Sequence, residues 1–128
     1  DGGLPRRRFP WGDDWPDREI DRTGPANYRD LNIGVCPVGL FECDDSVYGV
    51  WDLAGNIAER CLDGFAPYPP APDPDPLCLD YLNGHVVRGG SWDSCPLDLR
   101  ITARFGDPHS ARDDRTGFRV VLRRTASP

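Results

Sequence analysis

The sequence has no methionine, no lysine and no glutamine, and all 15 of its basic residues are arginine. Because Asp1 stands where an initiating methionine is expected, the chain is interpreted as a processed product, a trimmed chain or a fragment. It also lacks any apolar run near the roughly 18 residues that a bilayer-spanning helix requires. No membrane span is therefore predicted.

Basic charge is scarce as well. The 21 acidic residues outnumber the arginines, and the formal net charge is −6. Nonspecific nucleic-acid binding requires a basic surface, so no nucleic-acid partner is predicted. A length of 128 residues suits one domain, and residues 1–128 are interpreted as a single domain. With 14 glycines and 14 prolines, that domain should be rich in loops and small in its core.

The five cysteines form an odd set without a CxxC pair, and the two histidines are not paired near them. This pattern argues against a zinc site and leaves one thiol over in a disulfide framework. We favour free, buried thiols in a reducing compartment, which suggests a cytoplasmic location. A secreted, partly bridged domain remains the alternative.

Short apolar stretches separated by turn residues predict an α+β domain dominated by short antiparallel strands. Asn56–Leu62 is predicted to form a short helix capped by Asn56. Ala66–Pro76 holds six prolines and is predicted to be a surface loop. The predicted strands are Val47–Leu53, His85–Arg88, Leu99–Arg104 and Phe118–Leu122, with a strand or turn at Val35–Phe41.

Several segments, taken in chain order, resemble one protein family. They are RFPWGD (8–13), ANYRD (26–30), PVG (37–39), YGVWDLAGNIAE (48–59), RGGSW (88–92), Arg100, Arg104 and GFRVV (117–121). Together they resemble the formylglycine-generating enzyme (sulfatase-modifying factor) domain, a variant of the C-type lectin fold. The resemblance covers only the C-terminal half of that domain. It implies an absent N-terminal half, whose loss should leave an apolar surface in need of cover.

The enzymes of this family oxidise a substrate cysteine with copper held by two cysteines that follow the GGS motif. This chain has only Cys95 in the matching loop. A two-coordinate copper(I) site requires two thiolates, so the resemblance argues against copper, and no catalytic residue is assigned. A sulfatase-maturation-type oxidoreductase, or a fragment of one, remains the alternative function.

Family members also hold structural calcium with side-chain and backbone oxygens. The matching positions in this chain are Asn27 and Asp30 in the first motif and Asn56 and Glu59 in the second. The alternative is that both asparagines hydrogen-bond to turn backbone and that Glu59 pairs with an arginine.

One branch with the same motifs is the variable protein of diversity-generating retroelements, in which positions between RGGSW and GFRVV vary. The resemblance therefore implies a non-catalytic domain that binds a protein or small-molecule ligand through its C-terminal loops. Trp92, Arg100, Arg104 and Arg119 would be framework residues. The implied ligand-binding residues are Asp93, Ser94, Cys95, Leu97, Asp98, Phe105, Asp107, Ser110, Asp113, Asp114 and Arg115.

Overall fold

A small four-stranded sheet forms the centre of the protein. The structure is a computed structural model that describes residues 7–15, 24–41, 46–71, 74, 76–108 and 112–122. The strands are β1 (Ala58–Gly64), β2 (His85–Arg88), β3 (Phe105–Asp107) and β4 (Thr116–Gly117), and they lie in the order β3-β2-β1-β4. Long loops make up most of the remaining described chain, which agrees in coarse terms with the predicted loop-rich α+β class.

Two of the three strand pairings are antiparallel, as the sequence predicts, and one is parallel. β1 pairs antiparallel with β2, and β2 pairs antiparallel with β3, but β4 pairs parallel with β1. The β1–β2 register shifts between Arg60 and Gly64, which marks a bulge in β1. Both edge strands are short, with three residues in β3 and two in β4.

Only one of the predicted strands is confirmed over its full range, namely His85–Arg88. The predicted helix at Asn56–Leu62 is wrong, because Asn56 adopts a left-handed conformation with φ 56° and the chain then enters β1. Pairing with β2 and β4 overrides the weak local helical pattern.

The other strand predictions fail because turns or missing partners interrupt them. Val47–Leu53 begins with a turn in which the Gly49 amide donates to the Ser46 carbonyl and Gly49 has φ 71°. At Leu99–Arg104, Leu99 ends a 3-10 helix (Pro96–Leu99), and a turn precedes β3. Phe118–Leu122 lies beyond β4, and its apolar side chains are 77% to 92% exposed. For Val35–Phe41 the sequence predicts a strand or a turn, and the structure has a turn at Val38 and Gly39.

The described residues contain no α-helix, and their helical turns are the 3-10 segments Arg29–Leu31 and Pro96–Leu99. No helix in the described part is long and apolar enough to cross a membrane. The Pro96–Leu99 turn is fixed at its start by Asp98, whose carboxylate accepts from the Cys95 backbone amide at 3.3 Å.

The core is small and includes Ala58 of β1 and Val86 and Val87 of β2. Phe9, Ala26, Ala54 and Leu99 form one buried cluster. Trp11, Trp15 and Tyr28 pack against this cluster, and the Phe9 and Trp11 rings stack at 5.1 Å. These three aromatic side chains, which belong to loops, thus extend the buried cluster of four residues.

Three of the sequence motifs meet at one backbone junction, which we call the motif junction and define by Asn27, Gly55, Asn56, Gly89 and Trp92. The Asn56 amide donates to the Asn27 carbonyl, and the Gly55 amide donates to the Gly89 carbonyl, both at 2.9 Å. The Trp92 amide donates to the Asn56 carbonyl, also at 2.9 Å. These bonds tie the ANYRD, AGN and RGGSW segments to one another.

Substitution of Gly55 tests how much the motif junction contributes to the stability of the fold. Gly55 has φ 81°, and a Cβ atom built there would overlap the backbone oxygen of Asn27. We expect Gly55→Ala to lower the free energy of unfolding by at least about 3 kcal/mol, because the added Cβ would overlap backbone atoms rather than the end of a flexible side chain. Urea denaturation of the purified variants measures this.

The matched control is Gly49→Ala. Gly49 has φ 71° but no atom within 4 Å of a built Cβ, so only the backbone penalty of about 1–2 kcal/mol applies. Equal losses in the two variants would contradict a role for close approach at Gly55.

Candidate functional site

The side chains of Asn27 and Asn56 hold the loop that carries Cys36. Asn56 Oδ1 accepts from the Cys36 amide at 3.0 Å, and Asn56 Nδ2 donates to the Cys36 carbonyl at 3.1 Å. Asn27 Nδ2 donates to the Gly34 carbonyl at 2.7 Å and contacts Cys36 Sγ at 3.3 Å. Burial raises the pKa of the Cys36 thiol, and the hydrogen bond from Asn27 offsets part of this increase. Both asparagine side chains therefore bond to loop backbone, which is the alternative to calcium binding that the sequence left open.

One oxygen in this region lacks a partner. Asn27 is only 1% exposed, and its Oδ1 is buried without a hydrogen bond. A buried acceptor without a donor costs free energy, so this atom suits a bound cation or an ordered water.

The four predicted calcium residues are not all brought together. Asn27 and Asn56 lie side by side, with Asn27 Nδ2 and Asn56 Oδ1 3.5 Å apart. Asp30 is exposed in the 3-10 helix, and both carboxylate oxygens of Glu59 accept from Arg119 Nε, at 2.8 and 2.6 Å. In the described part of the chain, no group of three or more His, Cys, Asp or Glu side chains could hold a metal ion. The residues thus fit a calcium site only in part.

A charged cluster on the C-terminal loops contains several predicted ligand-binding residues. Arg115 Nη1 pairs with Asp93 at 3.2 Å, and Arg115 Nη2 pairs with Asp113 at 3.6 Å. Trp92 is half-buried, so it lies at the margin of the core rather than inside it, and its Nε1 donates to the Asp114 carbonyl at 3.3 Å. We call Trp92, Asp93, Asp113, Asp114 and Arg115 the acidic loop face.

The backbone hydrogen bond from the Arg115 amide is the main reason why the pKa of Asp113 is below its ordinary value. The Arg115 charge adds to this effect.

Among the described residues, the other predicted ligand-binding side chains do not form ion pairs with Arg115. Ser94 Oγ accepts from the Ser91 amide at 2.9 Å, and Cys95 Sγ donates to Asp98 Oδ2 at 3.2 Å, so these side chains hold their own turn. Leu97 is exposed. Phe105 and Asp107 belong to β3, whereas the acidic loop face adjoins β4 at the opposite edge of the sheet. Ser110 lies outside the described residues.

The predicted framework arginines make the expected bonds. Arg119 donates to the Glu59 carboxylate and, through Nη2, to the carbonyl oxygens of Trp51 and Asp52 at 3.2 Å. Arg100 Nε donates to the Leu97 carbonyl at 2.7 Å. The chain therefore uses arginine forks to join the C-terminal motif to the loops before β1.

The four described cysteines, Cys36, Cys61, Cys78 and Cys95, are free thiols and are half-buried rather than fully buried. Cys43 lies outside the described residues. Burial raises the pKa of the Cys61 thiol, which disfavours its reactive thiolate form.

A large cavity of about 1130 Å³ lies over β1, and no sequence motif predicted it. Its walls include Leu53, Cys61, Leu62, Ile101 and Val121. The apolar pattern at Val47–Leu53 was the available signal, because several of these residues line the cavity instead of forming a strand. Together with the exposed Phe118–Leu122 segment, the cavity gives the protein an extensive uncovered apolar surface.

A protein-family model matches nearly the whole chain. The profile described as the sulfatase-modifying factor enzyme 1-like domain matches residues 1–124. The formylglycine-generating enzyme of Streptomyces coelicolor is 31% identical over 136 aligned residues, which cover 94% of this chain and 42% of that protein. The hercynine oxygenase of Mycolicibacterium smegmatis is 31% identical over 124 residues, which cover 91% of this chain and 28% of that protein. The chain thus spans less than half the length of these relatives.

Among solved structures, Treponema denticola variable protein 1 is similar with a TM-score of 0.59 and 28% sequence identity. The match covers 73% of this chain and 34% of that chain. These matches confirm the resemblance that the ordered motifs predicted.

The pKa of Asp113 provides a test of the acidic loop face. Because its folded pKa is depressed, Asp113 stabilises the fold above its unfolded pKa, and this contribution is lost as the pH falls through the folded value. We expect Arg115→Met to raise the pKa only slightly, since the backbone amide remains. NMR titration of the Asp113 carboxyl carbon measures both values.

The control is Asp113→Asn, which should remove this part of the pH dependence of the unfolding free energy. Full return of the Asp113 pKa to its ordinary value in Arg115→Met would show that the side-chain charge dominates instead.

Proposed function

Because this chain belongs to the sulfatase-modifying factor enzyme 1-like domain family, we propose that it is a non-catalytic, C-type-lectin-like binding domain. Its C-terminal loops present the ligand-binding surface, and the chain is a variable protein of a diversity-generating retroelement. The likeness to Treponema denticola variable protein 1 is the single observation that carries this proposal.

The acidic loop face suits a variable surface. Asp113, Asp114 and Arg115 are exposed, and Asp93 and Trp92 are half-buried. Exposed ion pairs contribute little to stability, so the aspartate and arginine side chains of this face can change without loss of the fold. The carboxylates of Asp93 and Asp113 pair with the one guanidinium, and Asp114 adds a third negative charge. This excess of negative charge favours a basic protein partner, with Trp92 as an apolar anchor.

The contacts of Cys95 support a non-catalytic role. Its thiol and its amide both bond to Asp98 and thereby fix the Pro96–Leu99 turn. The competing function is that of a sulfatase-maturation-type oxidoreductase, favoured by the identity to the formylglycine-generating enzyme of Streptomyces coelicolor. That identity extends over only 42% of the enzyme, so its activity does not follow for this chain.

The uncovered apolar surface supports a further part of the proposal. We propose that the N-terminal half of a longer family domain covers the cavity over β1 and the segment Phe118–Leu122. Val121 is 88% exposed and lines that cavity, so one covering segment would contact both.

The variable-protein proposal predicts a pattern in the DNA beside the gene. We expect a near-identical template repeat and a reverse-transcriptase gene, with differences at template adenines. The differing codons should include those of Asp93, Asp113 and Asp114, because these positions tolerate change. Sequencing of the flanking DNA, and of the gene in several isolates, provides the measurement.

Codons of framework residues are the internal control. Leu99 is 1% exposed and Arg119 bonds to Glu59, so their codons should be unchanged. Absence of a repeat, or differences spread evenly over both sets, would contradict the variable-protein proposal. Conversion of a cysteine peptide to formylglycine in the presence of copper(I) would contradict the non-catalytic part.

Calcium is a separate proposal, supported by the unpartnered Oδ1 of Asn27. Asn27 and Asn56 would supply neutral oxygens and Asp30 a carboxylate, which calcium requires for adequate charge. We expect calcium to raise the melting temperature of the chain and chelation to reverse this, because an ion that binds only the folded state stabilises it. Differential scanning fluorimetry provides the measurement.

Asp30→Asn should weaken this calcium response, whereas Asp14→Asn, at another exposed carboxylate, should leave it intact. A melting temperature that does not depend on calcium in the unsubstituted chain would contradict the proposal.

A further inference from the structure

A second cavity, of about 520 Å³, lies between the sheet and described residues of the proline-rich segment after β1, among them Pro67, Tyr68 and Pro76. Two guanidinium groups and one phenol converge on it, from Arg88, Arg104 and Tyr68. Apolar walls are provided by Pro67, Leu77 and other residues. The cavity shares no residue with the acidic loop face, and its volume is typical of small-molecule sites.

The geometry around Tyr68 is specific. Arg88 Nη2 donates to the Tyr68 hydroxyl at 3.0 Å. The Arg104 guanidinium carbon lies 4.3 Å from the centre of the Tyr68 ring and 4.8 Å from that of Phe65. Arg104 is thus stacked on both aromatic rings, an arrangement that fixes the orientation of its planar fork.

Both arginines are also held by backbone oxygens. Arg88 Nη1 donates to the carbonyls of Ile101 and Ala103 at 3.1 and 3.2 Å, and Arg104 Nη2 donates to the Ala66 carbonyl at 2.6 Å. The positions of the two guanidinium groups are therefore set before any ligand arrives, which lowers the entropic cost of binding.

Among the residues that the structure describes, neither guanidinium group forms an ion pair. Within the described residues, no carboxylate lies within 4.0 Å of Arg88 or Arg104, whereas Arg60, Arg115 and Arg119 each pair with one. Asp63 also lines the cavity, but its Oδ1 accepts from the Cys78 amide at 3.0 Å. In a chain with a net charge of −6, two guanidinium groups at one cavity, without a carboxylate partner among the described residues, form a local anion-attracting site.

The positive charge of the two arginines affects the pKa of Tyr68. Burial acts to raise the pKa of its phenol, but hydrogen bonds from Arg104 and Arg88, together with their charges, outweigh burial and lower it. The side chain is 69% exposed, so its hydroxyl is accessible to a ligand as well as to water.

We propose that this cavity binds a small organic anion. Its oxyanion head, a carboxylate or a phosphate monoester, contacts Arg88, Arg104 and the Tyr68 hydroxyl. Its apolar body lies against Pro67 and Leu77. Charge-assisted bonds from two fixed forks supply affinity for the head, and the walls select for an attached aromatic or aliphatic group.

Phenyl phosphate is the probe for the test, and isothermal titration calorimetry on the full 128-residue chain measures its Kd. We expect Arg104→Met to weaken binding about tenfold, because one charged hydrogen bond is lost. Tyr68→Phe keeps the ring on Arg104 and removes only the hydroxyl, so we expect a loss of about threefold. Arg112→Met, at an exposed arginine outside the cavity and outside the acidic loop face, is the matched control and should bind as the unsubstituted chain does.

A second measurement uses the unsubstituted chain, so both arginines stay in place. A bound anion disfavours the phenolate, so phenyl phosphate should raise the pKa of Tyr68 in an NMR titration, and benzoate should do the same. Inorganic phosphate should raise it less, since it lacks the apolar body.

Two outcomes would overturn the proposal. One is no binding of phenyl phosphate at concentrations up to about 10 mM together with an unchanged Tyr68 pKa. The other is a folded Arg104→Met variant that binds with unchanged Kd. Equal effects of inorganic phosphate and phenyl phosphate would overturn the assignment of an organic ligand.

Discussion

The structure depends above all on the close approach of the Asn27 and Gly55 backbones. Their contact leaves no space for a side chain at Gly55, and the adjacent Asn56 amide bonds to the Asn27 carbonyl. The Asn56 side chain then holds the Cys36 loop, and its carbonyl accepts from Trp92. Because the sheet is small and the core contains few residues, this junction replaces the long strand ladders on which most β-rich domains rely.

The sheet order decides how the C-terminal loops can act. β3 and β4 lie at opposite edges, so the residues between RGGSW and GFRVV divide into separate groups rather than one surface. Asp93, Asp113 and Arg115 gather beside β4, while Phe105 and Asp107 lie at the other edge. A ligand on the acidic loop face therefore has a limited set of predicted contacts, and a large ligand would be needed to reach both edges.

Arginine has two distinct uses in this chain. Arg60, Arg115 and Arg119 neutralise carboxylates, whereas Arg88 and Arg104 donate to carbonyl oxygens and stack or bond with Tyr68. The first group contributes to the fold or to the loop surface without leaving net positive charge. The second group leaves that charge facing a cavity, although both of its members belong to the framework motifs.

The sequence by itself determined the family, the loop-rich composition and the framework role of Arg119, because ordered motifs and residue types record which bonds the chain must make. It also predicted His85–Arg88 as a strand, where the local pattern and the pairing partners agree. Only the tertiary structure decided that Ala58–Gly64 is a strand, that Phe118–Leu122 is not, and that Tyr68 meets two arginines. The physical reason is that strand formation requires a neighbouring strand, and a cavity requires walls from segments distant in sequence. Local patterns in the sequence specify neither.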